Sequence, residues 1–210
     1  MTAVSLKTGS STGAVQLEFS DGSSLVFLID YLPEGSLNEG ENPASWEFPR
    51  ELSAGEEEAL RFAAVCYGAE KAALRLIARA EQNSLGLTAK LERRGYNAAV
   101  AKTVVSRLLD RNLLDNGRYA ELWIRSRLTL NKAPSPRWLL AALGKRGINR
   151  NSSLEALNKV LDPETEYTLL LRYLGSRSFR GSRSFRRAQL KYEGFSSAAL
   201  DTYFEKNNII

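Results

Sequence analysis

The segment Ser176-Arg177-Ser178-Phe179-Arg180-Gly181 is followed at once by Ser182-Arg183-Ser184-Phe185-Arg186-Arg187, a six-residue pattern written twice with a ring between arginines. From Arg172 to Lys191 the chain carries seven basic residues and no acid. Guanidinium groups bond phosphates and carboxylates through paired N–H donors, and an interleaved Phe can stack or anchor. Clustered positive charge without compensating acid is unfavourable unless a partner supplies the negative charge. The pattern predicts a contact surface carried by Arg177, Arg180, Arg183, Arg186, Arg187 and Lys191. The alternative is a loop and helix start with its rings in the core and its arginines solvated. A second basic group, Arg118, Arg125, Arg127, Lys132 and Arg137, runs through the middle of the chain. Arg118 and Arg125 are seven residues apart, which places them on one helical face. Trp123 and Trp138 lie among these cations, and burial in the core is the expectation for both.

Other chemistry is missing. The chain has no histidine, and so lacks the usual general base and the commonest metal ligand. One cysteine, Cys66, cannot build a zinc site or an internal disulfide, and its apolar surroundings predict a buried, reduced thiol. Gly144-Lys145 sits at a helix end rather than in a phosphate loop after a strand. Glu56, Glu57 and Glu58 open a helix, where they suit its dipole. Asp110 and Asp115 flank a turn, and capping accounts for Asp115. A metal-using nuclease built on these acids is the enzymatic alternative. The chain reads instead as a non-enzyme with no cofactor and no metal.

Charge is unevenly divided. Residues 1–68 hold three basic and eleven acidic residues, whereas residues 69–210 hold 26 basic and 13 acidic. The larger part is a basic body suited to polyanions or to an acidic protein face, although scattered basic residues also serve solubility. No apolar run is long enough to span a membrane, and residues 1–13 lack the apolar core of a signal peptide. The expectation is a cytoplasmic protein.

The elements that must position these residues are marked by a repeated corner. Leu91–Gly95–Tyr96–Asn97, Leu143–Gly147–Ile148–Asn149 and Leu190–Gly194–Phe195–Ser196 share one spacing, 52 and 47 residues apart. A glycine in the left-handed conformation past a helix end places Leu and the apolar residue where they touch in a Schellman cap. The Asn or Ser that follows is a good N-cap, so another helix begins at once. Three such corners predict tandem helical repeats.

Ahead of them the pattern is β. Val15, Leu17 and Phe19 alternate with polar residues, Asp21-Gly22 suits a two-residue turn, and Leu25 to Ile29 returns. That turn would pair Phe19 with Ser24, Leu17 with Val26 and Val15 with Leu28; Val4 and Leu6 suggest a third strand. Pro33 to Pro49 reads as a loop. Ser53 with Glu56 forms a capping box for a helix to about Cys66, and Tyr67-Gly68 separates it from a second helix over Ala69 to Glu81. Asn83 is the expected cap of the next helix. Val100, Val104, Val105, Leu108 and Leu109 make one apolar stripe. Asp115, Ser135, Ser152 with Glu155, and Asp162-Pro163 read as further helix starts. Helices near 164–175, 184–193 and 197–206 complete a mainly α chain of tandem three-helix repeats after a small N-terminal β-hairpin segment. The expected divisions are 1–50, 51–113, 114–161 and 162–210.

Residues 69–148 resemble the RecX family of bacterial RecA regulators. The matching pieces are Ala72-Ala73-Leu74-Arg75-Leu76-Ile77-Ala78-Arg79, Lys90-Leu91, Arg94-Gly95-Tyr96, Leu113-Leu114-Asp115, Arg118-Tyr119-Ala120, Pro136-Arg137-Trp138-Leu139, Leu143 and Arg146-Gly147-Ile148. Gly86 and Ala142 stand where the family usually has Glu, Asn116 where a second Asp is common, and Asn83 where Ser is usual. The expectation is a monomer, and the resemblance implies an elongated, curved array of three-helix repeats that binds along the RecA filament groove. It also implies single-stranded DNA as a further contact, and inhibition of strand exchange, ATP hydrolysis and repressor cleavage. A basic helical-repeat module acting directly on DNA is the second reading. The acidic first 68 residues favour the filament, since they disfavour continuous contact with DNA.

Overall fold

The computed structural model describes residues 1–9, 13–37, 43–177 and 182–207. It is mainly α-helical, with a small N-terminal antiparallel sheet. The chain divides into two compact units, residues 1–81 with 86–114, and residues 82–85 with 115–210.

In the first unit the strands are β1 (Thr2–Thr8), β2 (Ala14–Phe19), β3 (Ser24–Leu28) and β4 (Arg50–Glu51), in the order β3-β2-β1-β4. The β2–β3 register differs by one residue from that expected of a two-residue turn. Val15 faces Phe27 and Leu17 faces Leu25. The cause is a three-residue turn, Ser20-Asp21-Gly22, closed by the Phe19 N–H bond to the Ser23 carbonyl at 2.9 Å, with Gly22 at φ +82°. Asp21 accepts from the Ser23 amide and hydroxyl and fixes that turn. The shift turns Phe27 into the core and leaves Val26 exposed, as a one-residue slip must.

Helix α1 (Ala54–Ile77) is continuous over 24 residues, so the expected break at Tyr67-Gly68 does not occur. Glycine inside a helix costs about 1 kcal/mol. The packing of α1 against β3 and α3 (Ala98–Asp110) outweighs that, because Ala63, Cys66, Ala69 and Ala73 on both sides of Gly68 are wholly buried. Ser53 and Glu56 form the expected capping box. Cys66 is buried, and burial pushes its thiol up to about 11.

A buried polar cluster, unsuspected from the sequence, joins the turn after β3 to the helices. Glu70, 5% exposed, accepts a hydrogen bond from the Tyr31 hydroxyl. Arg107 lies 3.4 Å from the Glu70 carboxylate, pairs with Asp30 at 2.7 Å and covers the Tyr31 ring at 5.1 Å. Burial and the bond to Glu70 raise the Tyr31 phenol well above its ordinary 10.0.

Helix α2 (Ser84–Glu92) leads into the first corner. In the second unit follow α4 (Asn116–Leu128), α5 (Pro136–Gly144), α6 (Arg150–Val160), α7 (Pro163–Gly175), α8 (Arg183–Tyr192) and α9 (Ser197–Lys206). One apolar cluster joins α4, α5 and α6, another joins α7, α8 and α9, and Leu128 and Leu161 pack against both. Asp115, Ser135 and Asp162 cap as expected. The Ser152–Glu155 cap does not form; Asn149 caps α6 instead, accepting from the Ser152 amide at 2.9 Å, and the helix starts three residues earlier.

All three corners have the expected geometry. Gly95, Gly147 and Gly194 have φ of +92°, +77° and +92°. The amides of Tyr96, Ile148 and Phe195 reach back to the carbonyls of Leu91, Leu143 and Leu190 at 3.3, 3.2 and 3.3 Å. Asn97, Asn149 and Ser196 then cap the following helices. Space differs among them. A Cβ at Gly95 meets nothing within 4 Å, but one at Gly147 lies 2.9 Å from the Leu85 Cβ.

Three variants have defined outcomes in thermal and denaturant melts. Gly95→Val costs about 1–2 kcal/mol through backbone strain alone. Gly147→Val costs about 1–3 kcal/mol more, because the added side chain must also displace Leu85. Equal losses would show that the contact is not restrictive. Tyr31→Phe removes the donor to buried Glu70 and costs about 1–3 kcal/mol. Because the folded phenol titrates above the unfolded one, its contribution is complete below about pH 10 and is lost as the pH rises further. Tyr31→Phe therefore flattens the alkaline limb of the stability profile.

Candidate partner-binding surface

The expected contact residues all belong to the second unit, and the structure separates them by role. Arg118, Arg125, Lys132, Arg137, Arg177, Arg183 and Lys191 are exposed, whereas Arg127, Arg186 and Arg187 are half-buried. Arg180 lies outside the described residues, as do Ser178, Phe179 and Gly181.

The middle group gathers around aromatic rings. Trp123 on α4 is buried, and its indole carries the guanidinium groups of Arg127 at 5.0 Å and Arg146 at 4.4 Å. Arg146 also donates to the Ala142 carbonyl at 2.8 Å, so it closes the end of α5. The indole of Trp138, on the first turn of α5, stacks on Trp123 with centroids 6.0 Å apart and planes 21° from parallel. Trp138 is nevertheless 50% exposed, contrary to the expected burial. The helical turn that buries Leu139 and Leu143 points Trp138 to the rim of the cluster, and Trp123 already fills the interior place.

Arg137 lies 3.8 Å from the centroid of the Tyr192 ring at the end of α8. Its amide donates to the Glu193 carbonyl at 2.9 Å, which ties the start of α5 to the third corner. Gly194 is needed there for space as well as for conformation, since a Cβ would sit 3.1 Å from the Arg137 nitrogen. Arg125 lies nearer α7, where its charge adds to the Thr165 hydrogen bonds that hold the Asp162 carboxyl below its ordinary range.

The C-terminal arginines are more structural than their sequence pattern implies. Arg177 covers the Tyr173 ring at 3.8 Å, and Arg183 lies 5.4 Å from the Phe204 ring. Arg187 pairs with Asp201 at 2.6 Å, an acid on α9 that lies outside the stretch from Arg172 to Lys191. Arg186 and Arg177 help line a cavity of about 180 Å³ with Leu190 and Phe204, and the Arg186 Nε is buried there without a hydrogen-bond acceptor. Arg172 donates to the carbonyls of Leu128 and Leu130, the latter at 2.6 Å, and so satisfies the end of α4. Phe185, which the alternative reading puts in the core, is exposed.

Among the described residues no group of three or more acidic, cysteine or histidine side chains is arranged to hold a metal. Nor is any helix there long and apolar enough to cross a membrane.

Known proteins are similar to this chain in sequence and in fold. A regulatory protein RecX of Treponema pallidum (strain Nichols) is 37% identical over 123 residues, spanning 59% of this chain and 74% of that protein. The chain belongs to the RecX family. A RecX of Pseudomonas entomophila is 32% identical over 133 residues, covering 60% of this chain and 83% of its own length. No family model matches the chain. A crystal structure of a regulatory protein RecX superposes with a TM-score of 0.62 over 95% of this chain and 97% of its own, at 16% identity. RecX from Lactobacillus salivarius gives a TM-score of 0.51 over 70% of this chain and 98% of its own, at 22% identity. At those identities the two structures speak for the RecX fold.

The division of the arginines has a direct consequence for stability. Arg186→Glu places a carboxylate in a half-buried apolar setting and lowers the melting midpoint clearly. Arg125→Glu and Lys132→Glu change stability by about 0.5 kcal/mol or less, as exposed substitutions do. Thermal melts of the three variants check this, and a silent Arg186→Glu would return that arginine to the solvated surface.

Proposed function

We propose that this chain is a non-enzymatic regulator that binds RecA filaments on single-stranded DNA and inhibits strand exchange, ATP hydrolysis and RecA-stimulated repressor cleavage. The observation that carries the reading is membership of a family whose relatives are named regulatory protein RecX. The proposed contact surface is the exposed cationic part of the second unit, Arg118, Arg125, Lys132, Arg137 and Lys191, with Arg177 and Arg183 beside it. A nucleoprotein filament presents phosphates and acidic side chains together, and both take charge-assisted hydrogen bonds from such residues. The excess of acid in residues 1–68 supports docking on a filament over continuous contact with bare DNA. Regulation of this kind needs no turnover by the regulator. It requires only unequal affinity for the active and inactive filament states, and its effect is bounded by that difference.

The test is addition of the full chain to preformed RecA filaments while ATP hydrolysis and filament length are followed together. Hydrolysis should fall in proportion to occupancy, and the purified chain alone should neither cleave DNA nor hydrolyse nucleotide. Activity without RecA, or saturation of the filament with no change in hydrolysis, would falsify the proposal. Affinity for bare single strands that exceeds affinity for the filament across a salt series would favour the direct DNA-binding reading.

A further inference from the structure

Of the three tryptophans, Trp46 and Trp123 are buried and only Trp138 presents its indole to solvent. Its exposure is not looseness. Ser135 caps α5 and accepts from the Trp138 amide at 3.2 Å, Pro136 fixes the first turn, and the indole rests against Trp123. Trp123 in turn carries two guanidinium groups. The ring is thus held in one orientation by stacking while half of its surface stays open. A second ring is offered nearby in the fold, since Tyr192 is 67% exposed and Arg137, adjacent to Trp138 in the chain, lies over it. Lys191 precedes Tyr192 and is exposed.

Exposed ring faces beside cations are what unpaired bases require. Each base has a π-face that stacks on an aromatic side chain whatever its identity, and the backbone phosphates answer the positive charge. A purely acidic peptide would meet the cations but offers no π-face to stack on the rings. A duplex keeps its bases stacked on one another and cannot use them. We infer that the first turn of α5 and the end of α8 form a stacking platform for single-stranded nucleic acid, with Trp138 and Tyr192 as the rings and Arg137 and Lys191 as the cations. This deepens the DNA contact of the proposed function, and it is tested without RecA so that the two readings fail separately.

The experiment is a titration of the full chain with an oligothymidylate of about 15 nucleotides, read by tryptophan fluorescence and by anisotropy of a labelled strand. Wild type should show quenching of its solvent-exposed emission, and a duplex of the same length should not produce it. Trp138→Phe keeps a ring and should retain affinity within a few-fold while losing the quench. Trp138→Ala should weaken binding about tenfold, the loss expected from one missing base stack. Tyr192→Ala provides an independent variant at a solvent-exposed ring, useful should Trp138→Ala fold poorly, and it should also weaken binding. The inference is overturned if wild type shows no quench, or if folded alanine variants bind the strand as well as wild type. It is equally overturned if those variants lose RecA filaments while keeping the strand, since the rings would then be a protein contact.

Discussion

The left-handed residue at the end of a helix is the constraint on which this chain depends. At Gly95, Gly147 and Gly194 the backbone turns at positive φ, the apolar residue that follows bonds back to a leucine carbonyl, and the next residue caps a new helix. Each corner satisfies backbone groups that would otherwise be orphaned at two helix ends, and it does so in few residues. Short corners keep neighbouring helices together, so that α4 to α6 and α7 to α9 each close around an apolar cluster. The third corner does more than turn the chain. Its Glu193 carbonyl receives the Arg137 amide, which brings the start of α5 and the end of α8 together and with them the cation over Tyr192.

A second theme is arginine laid on aromatic faces. Arg127 and Arg146 on Trp123, Arg137 on Tyr192 and Arg177 on Tyr173 all place a guanidinium within 5.0 Å of a ring centre. Such contacts hold a long side chain in place without discharging it, because the ring supplies no counter-ion. The second unit therefore keeps its positive field and yet presents it in fixed positions. That combination suits a polyanionic partner better than a mobile set of lysines would, since less side-chain entropy is lost on contact.

The glycine corners are legible in the sequence because their signal is local, with every residue that matters inside a span of seven. A further corner lacks glycine and carries no such signal. Asn112 has φ +54°, and the Leu113 amide bonds to the Leu108 carbonyl at 2.9 Å, so Asn takes the left-handed place there. The continuity of α1 is hidden because tertiary packing overrides the local weakness at Gly68. The β2–β3 register depends on one residue of turn length, for which Asp21-Gly22 fits either choice. The Glu70, Tyr31 and Arg107 cluster joins residues far apart in sequence, and no spacing rule announces it. The same holds for the surface. Basic residues are evident as a group, but Asp201 opposite Arg187 and the open face of Trp138 are products of packing.

On the proposed function, the second unit carries the contact surface, while the first unit, with its acidic sheet region, is not the face that meets the filament. Hydrogen exchange of the full chain, free and bound to RecA filaments on single-stranded DNA, tests this most directly. The account predicts slowed exchange over α5 and α8 and in the segment joining α4 to α5, with β1 to β3 unchanged. Protection confined to β1 to β3, with α4 to α8 exchanging as in the free protein, would contradict it.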